Sequence, residues 1–280
     1  MTETENKRSY AFSDTENEKK RLEEQSRIIG VTTRRMFESA GIAPGMKVLD
    51  IGSGAGDVAL ILADMVGPDG SVVGIEKNPD IIDTARKRAE AGSYGNVTFL
   101  AGDAGSLDLD DDFDALVGRA VLMYIPDPVG VLKALLKHVK PGGVVAFQEV
   151  DFTIRPVALP MPDTLKQAWD WLYATIEKSG TEMQMGFKLL DTYIKAGLPE
   201  PAMHLDAFMG GTSWPGLDWL VSTLRSLVPT MEQLGVATAE EVDIDNLKQR
   251  VLMEFVSKRV FSAVGMSNTW ISAWTRKPGS

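Results

Sequence analysis

Cysteine is absent from all 280 residues. That removes disulfides, thiolate nucleophiles and cysteine-based zinc sites together. Histidine is almost as scarce. Only His138 and His204 occur, too few for a histidine metal centre, so no metal is expected. Positive charge is in deficit, with 29 Lys and Arg against 39 Asp and Glu and a formal net charge of −10. Neutralising a phosphate backbone needs a basic face, and no Lys/Arg cluster is long enough to supply one, which excludes nucleic acid as a partner. Long apolar runs are missing too. Met1-Thr-Glu-Thr-Glu-Asn-Lys-Arg8 lacks the hydrophobic core of a signal peptide, and no later run reaches membrane-spanning length. A soluble, cytoplasmic protein without a membrane partner is expected. What is present, 44% hydrophobic residues over this length, suffices for one large α/β domain with a cap. A small molecule is the expected partner.

The chain is organised around Lys47-Val-Leu-Asp-Ile-Gly-Ser-Gly-Ala-Gly-Asp57. Val48, Leu49 and Ile51 form a short apolar run bounded by glycines, as in a strand buried on both faces of a parallel sheet. A glycine turn follows, and Asp57 to Val66 reads as a helix with Asp57 near its N-terminus. A dinucleotide fingerprint places glycines at the first, third and sixth positions. Here they are Gly52, Gly54 and Gly56, and the sixth position is Asp57. An acid at the positive end of a helix dipole repels phosphate, so a ligand with a zwitterionic amino-acid end suits the loop better.

Before this stretch, residues 1 to 14 are polar apart from Tyr10 and Phe12. Thr15 to Ala40 shows helical spacing of Leu22, Ile29 and Met36, and residues 1–40 are read as an N-terminal helical lid. After it, strands are expected over Ser71 to Glu76, Val97 to Leu100, Asp112 to Gly118 and Gly143 to Val150. They alternate with helices over Pro79 to Ala91, capped by Asn78, and Pro128 to Val139. Strand–helix alternation on short connections makes 41–151 a Rossmann-like, doubly wound α/β core with right-handed crossovers. In 152–280 the pattern is helical over about 152–186 and 212–260. These two cap insertions are rich in Trp and Met, including Trp169, Trp171, Tyr173, Trp214 and Trp219, and as a group they can wall an apolar pocket. Strands over Ala202 to Met209 and Asn268 to Trp274 complete the sheet.

Glu76 ends the second strand about 20 residues beyond the glycine loop, where an acid accepts both hydroxyl hydrogens of a ribose. Asp103, in Gly102-Asp-Ala104, ends the third strand beside it. With Val48-Leu-Asp-Ile-Gly-Ser-Gly-Ala-Gly56, Gly74-Ile-Glu76, Gly102-Asp-Ala104, Phe113-Asp-Ala-Leu-Val117 and Leu136-Lys-His-Val-Lys-Pro-Gly-Gly143 in this order, residues 41 to 151 resemble the class I S-adenosylmethionine-dependent methyltransferases. The likeness is to their small-molecule group, such as the ubiquinone/menaquinone biosynthesis enzymes. The resemblance implies S-adenosyl-L-methionine as cofactor and S-adenosyl-L-homocysteine as product. It implies that Asp50, Gly52, Ser53, Gly54 and Gly56 hold the methionine end and Glu76 the ribose. Lys77 or Asn78 would flank the adenine, Asp103 would take its amino group and the Ala104 N–H its ring nitrogen. Arg119 and Ala120 would complete the methionine pocket. It also implies a seven-stranded sheet of order 3-2-1-4-5-7-6 with an antiparallel last strand.

Methyl transfer from a sulfonium is an in-line displacement in which alignment contributes about 7 to 11 kcal/mol. A base is needed only if the nucleophile arrives protonated. Tyr124, Glu149 and Asp151 are the candidates for acting on the acceptor, a small and partly apolar molecule methylated at O, N or C. His204 is read as structural, and His138 as complementing a helix dipole. Two other functions stand beside this one: a non-methylating use of the bound cofactor, and a nicotinamide-dependent oxidoreductase, which Asp57 disfavours.

Overall fold

The computed structural model describes residues 16–106, 109, 112–210, 215–258, 262–264 and 269–279. Tyr10, Phe12, Thr15, Trp214 and Asn268 lie outside them. Helix α1 (Glu16–Ala40) buries Ile29, Met36 and Phe37 and ends at Gly41, whose φ of 84° is left-handed. Strand β1 (Lys47–Ile51), α2 (Asp57–Val66), β2 (Ser71–Glu76), α3 (Pro79–Ala91), β3 (Val97–Ala101), β4 (Phe113–Arg119), α4 (Pro128–Leu135) and β5 (Val139–Asp151) then alternate as expected. Asn78 caps α3 by accepting from the Asp80 N–H, with Pro79 at the first turn. There follow β6 (Val157–Leu159), α5 (Asp163–Lys178), α6 (Met185–Ala196), β7 (Ala202–Asp206), β8 (Met209–Gly210), α7 (Gly216–Gln233), α8 (Ala239–Val242), α9 (Ile244–Ser257), β9 (Ser262–Val264) and β10 (Thr269–Arg276).

The main sheet has seven strands in the order β3-β2-β1-β4-β5-β10-β7. With the short strands β6, β8 and β9 set aside, this is the expected 3-2-1-4-5-7-6. Strands β3, β2, β1, β4 and β5 are parallel. β10 runs against β5: Lys277 bonds Gly142 and Gly143 at one end, while Ser272 meets Gln148 further along. Both faces are buried, which explains the near-continuous apolar strands. Val48, Ala115, Val117, Val144 and Ala146 pack with α1, α2 and α3 on one face. On the other, Phe147 meets Tyr193 of α6 edge-on at 6.4 Å between ring centres, and α6 packs on α4.

The chain forms two compact units. One comprises 29–149, 185–205 and 271–280 and carries the body of the seven-stranded sheet. The other comprises 1–28, 150–184 and 206–270. In it α5, α7 and α9 pack together around Trp169, Tyr173 and Trp219, with Trp169 6.1 Å from Tyr173 and 6.4 Å from Trp219. All three rings are buried, as in ordinary core. This unit also holds an antiparallel sheet, β6-β9-β8, absent from the sequence reading because its strands are two or three residues long. Two boundaries differ from expectation. The helix expected to reach Val139 stops at Leu135 and tightens into a 3₁₀ turn over Leu136–His138. The strand expected over Ala202 to Met209 divides into β7 and β8, which join different sheets. α6 belongs to the sheet-bearing unit, where its Tyr193 hydroxyl donates to the Ala273 carbonyl at 2.9 Å.

Candidate active site

The site is built where β1, β2, β3 and β4 end, the edge at which open α/β sheets bind ligands. Its floor is the turn between β1 and α2. Gly52, Gly54 and Gly56 have φ of 63°, 51° and 86°, all in the region that disfavours side chains. A Cβ on Gly52 would overlap Val121, and one on Gly56 would stand 3.0 Å from Phe99. A Cβ on Gly54 would meet nothing within 4 Å, so the loop closes below and opens above. The Ser53 N–H donates to the Ile75 carbonyl at 2.9 Å and ties the turn to β2.

Asp50, next to last in β1, is 1% exposed, and neither of its oxygens has a hydrogen-bonding partner. The Ser53 hydroxyl beside it is likewise buried and unpartnered. Burial raises the Asp50 carboxyl well above its usual range. Arg119 opposes that rise and Glu76 and Asp57 add to it, while the Ala59 N–H, which does not reach hydrogen-bonding geometry, contributes the smallest pull. Alternation puts Asp50 and Arg119 on the same face, since Asp50 pairs with Val117, two residues before Arg119. Arg119 is itself buried and committed. It donates to Thr33 Oγ1 at 3.2 Å and stands 4.0 Å from Asp57. A buried carboxylate with unused lone pairs is costly unless a cation or donor meets it. The ammonium of an amino acid is of the right charge, so this donor set fits the methionine end of S-adenosylmethionine.

Asp57 needs correcting. It is not a bare acid at a helix start, because Arg88 of α3 donates to it at 2.7 Å and also to the Ala55 carbonyl at 2.6 Å. Phosphate repulsion by Asp57 is therefore weaker than its position implies. The acid that wants a cation is Asp50.

Glu76 accepts from Gly54 N–H at 3.0 Å with one oxygen, and from Lys77 and Asn78 N–H at 2.8 and 3.0 Å with the other. Three bonds on a carboxylate leave acceptor capacity, and they fix Glu76 against the glycine loop. Lys77 reaches Asp103 at 3.2 Å, bridging the loops after β2 and β3. The Gly105 N–H at 3.0 Å, followed by Lys77, holds the exposed Asp103 carboxyl below its usual range. Ala104 follows in the same turn, half-buried. Asp50, the glycine loop, Glu76, Lys77, Asn78, Asp103, Ala104 and Arg119 thus gather at one edge. Ala120 joins them with a left-handed φ of 50°, unusual for a residue bearing a Cβ, and its N–H donates to Gln148 at 2.8 Å.

The three residues expected to act on an acceptor fare differently. Glu149 is fully buried and accepts the N–H groups of Val121, Leu122 and Met123 at 3.1, 2.9 and 3.3 Å. Burial pushes its carboxyl up to about 7 against the pull of those three donors. It is a cap for the turn after β4 and does not stand in open space. Asp151, also buried, accepts from the N–H of Thr153 at 2.9 Å and from its hydroxyl. Tyr124 closes the 3₁₀ turn Leu122–Tyr124 and is half-buried. His204 lies edge-on against Trp274 at 4.8 Å. Thr33, Gln148 and Arg88 escaped the sequence reading. Thr33 of α1 and Gln148 of β5 bond at 2.6 Å, and Thr33 also receives Arg119, so the helix is fastened to the sheet beside the site. Gln148 carried a signal, as a polar residue within the apolar run Val144 to Val150, whereas Thr33 and Arg88 sit in polar helical stretches that gave none.

Comparison with known proteins identifies the family. Residues 42–204 match the family described as a methyltransferase domain. Among curated relatives, the arsenite methyltransferase of Halobacterium salinarum is 33% identical over 51% of this chain and 35% of its own length. The ubiquinone/menaquinone biosynthesis C-methyltransferase of Idiomarina loihiensis is 33% identical over 49% of this chain and 53% of its own. The chain thus spans about a third to a half of the length of these relatives. Among solved structures, a putative methyltransferase from Bacillus halodurans aligns over 88% of this chain and 98% of its own with a TM-score of 0.56 and 20% identity, a likeness of fold. With the family match covering more than half the chain and the strand order in place, this protein belongs to the S-adenosylmethionine-dependent methyltransferases of class I.

Proposed function

We propose that the protein binds S-adenosyl-L-methionine over the Gly52–Gly56 loop and transfers its methyl group to a small, partly apolar acceptor. The observation that carries this reading is Asp50: a buried carboxylate with no partner on either oxygen, beside an unpartnered Ser53 hydroxyl and beneath a loop open at Gly54. In the proposal Asp50 and Ser53 receive the ammonium and carboxylate end, and the glycine loop admits the backbone-close approach. Glu76, already oriented by three backbone donors, receives the ribose hydroxyls. Lys77 and Asn78 flank the adenine, and Asp103 with the Ala104 N–H takes its polar edge. Arg119 and Ala120 border the methionine.

The cofactor supplies a methyl group on a positively charged sulfur, ready for displacement. The chain's own contribution is to hold that sulfur's neighbours still and keep water out, since alignment carries most of the acceleration in such a step. Glu149 and Asp151 already serve backbone and side-chain donors of the protein, so no dedicated base is assigned. Tyr124 remains the candidate for orienting an acceptor.

The test is incubation with labelled S-adenosylmethionine and a panel of small metabolites, following transfer of label and release of S-adenosylhomocysteine. Label appearing on a small, partly apolar product is the expected result. Turnover of NAD by the same preparation without any methyl transfer would overturn the reading.

A further inference from the structure

We propose that Glu149 is a positioning residue for the cofactor: by gathering three consecutive backbone N–H groups it sets the turn that presses Val121 onto the glycine loop. The proposal rests on the cofactor reading above and extends it to a residue that touches no ligand.

The chain of contacts crosses three strands. Glu149 belongs to β5, and its carboxylate holds Val121, Leu122 and Met123, which follow β4. Val121 in turn fills the space that side chains on Gly52 and Gly118 would need. A Cβ on Gly118 would stand 2.8 Å from Val121 Cγ1, and one on Gly52 would overlap Val121 Cγ2. The turn is entered through the left-handed backbone of Ala120, a conformation that persists only when its surroundings enforce it. The Ala120 bond to Gln148 holds one side, and the three bonds to Glu149 hold the other. Release of the carboxylate frees the turn to relax, and with it the close approach of Val121 to Gly52.

This arrangement needs an ionised carboxylate. A protonated one carries an O–H donor and loses acceptor capacity that three N–H groups now use. Burial raises this group to about 7, so the clamp weakens on the acid side. Among the described residues Tyr193 of α6, a phenol kept neutral by burial, also senses Glu149. Asp50 also titrates in the site, under the influence of Arg119, Glu76 and Asp57. A comparison between variants therefore separates the two acids better than the parent's profile alone.

The experiment is calorimetric titration of S-adenosylhomocysteine into the parent protein and Glu149→Gln between pH 6 and 8.5. The amide preserves shape but places an N–H₂ donor against backbone donors. At pH 8 the variant is expected to bind roughly 2- to 30-fold more weakly, the range for a residue that acts on a site without touching its ligand. The parent is expected to lose up to about tenfold in affinity per pH unit below the titration midpoint, a component missing from the variant. Because the variant can fail to fold, the amide proton resonances of Val121, Leu122 and Met123 are followed in the parent. They should titrate together near neutrality, with the midpoint moving to lower pH when S-adenosylhomocysteine is bound. Equal affinities with superimposed pH profiles, or a midpoint unmoved by ligand, would overturn the proposal while leaving the cofactor assignment standing. A parent that binds no S-adenosylhomocysteine at any pH would overturn both.

Discussion

Ala120 and Asp50 show how single residues carry the cost of a site. Ala120 sits at φ 50°, where its Cβ crowds the following carbonyl. Ala120→Gly is expected to raise stability by about 0.5–1 kcal/mol through relief of that strain. Denaturant unfolding midpoints at constant slope check it, and an unchanged or lower midpoint contradicts it. Neither feature was visible in advance: an alanine at a strand end gives no hint of its backbone angles. Asp50 was legible by its place before the glycines, but its lack of partners was not. The same holds for Glu149. The sequence places an acid at the end of β5, and only the path of the chain through Val121 to Met123 reveals that its oxygens are already engaged.

Among the elements, those made by strong local signals came through. Short apolar strands between glycines, Asn78 before Pro79, and alternation of strand and helix located β1 to β5, while their order in the sheet came from the resemblance to the methyltransferases. The elements that escaped are short or depend on distant partners. β6 pairs with β9 across a separation of about a hundred residues, and no periodicity is detectable in three positions. α2 offers a case where an element's end is set from elsewhere. Its last turn is capped by Asn96, whose side-chain amide donates to the carbonyls of Ala63 at 3.1 Å and Gly67 at 2.9 Å. Asn96→Ala leaves those carbonyls without this donor and is expected to cost about 1–2 kcal/mol. Thermal unfolding of the variant checks this, and a melting temperature equal to the parent's would show that other donors replace the amide. Faster hydrogen exchange confined to the last turn of α2 should accompany the loss.

For the whole molecule, the pH response between 5 and 8 follows from the two carboxyls that burial raises among the described residues. Asp50 and Glu149 both hold protons in the native state at pH values where an unfolded chain releases them. The native state then binds more protons than the unfolded one, so stability is highest on the acid side of this window. It falls as pH rises from about 4.5, the ordinary carboxyl value, towards 7. The Glu149 part is roughly 3 kcal/mol across that interval, as an upper estimate. Asp103, held below its usual range by the Gly105 N–H, acts in the opposite sense at lower pH. Unfolding free energies between pH 5 and 8 should therefore decline in the ligand-free protein. A rise over the same interval would contradict the burial of these two groups. A cation bound at Asp50 removes its part of the decline by stabilising the ionised form, which links folding, protonation and ligand in one acid.

That acid is also the place to test the account. In a calorimetric titration with S-adenosylhomocysteine, the parent should bind one equivalent. Asp50→Asn, with the same shape and no charge, should bind about 1.5–3 kcal/mol more weakly, the loss of a charge-assisted hydrogen bond. Equal binding by parent and variant, or binding of NAD in place of S-adenosylhomocysteine, would contradict the assignment of this edge of the sheet to the methionine end of the cofactor.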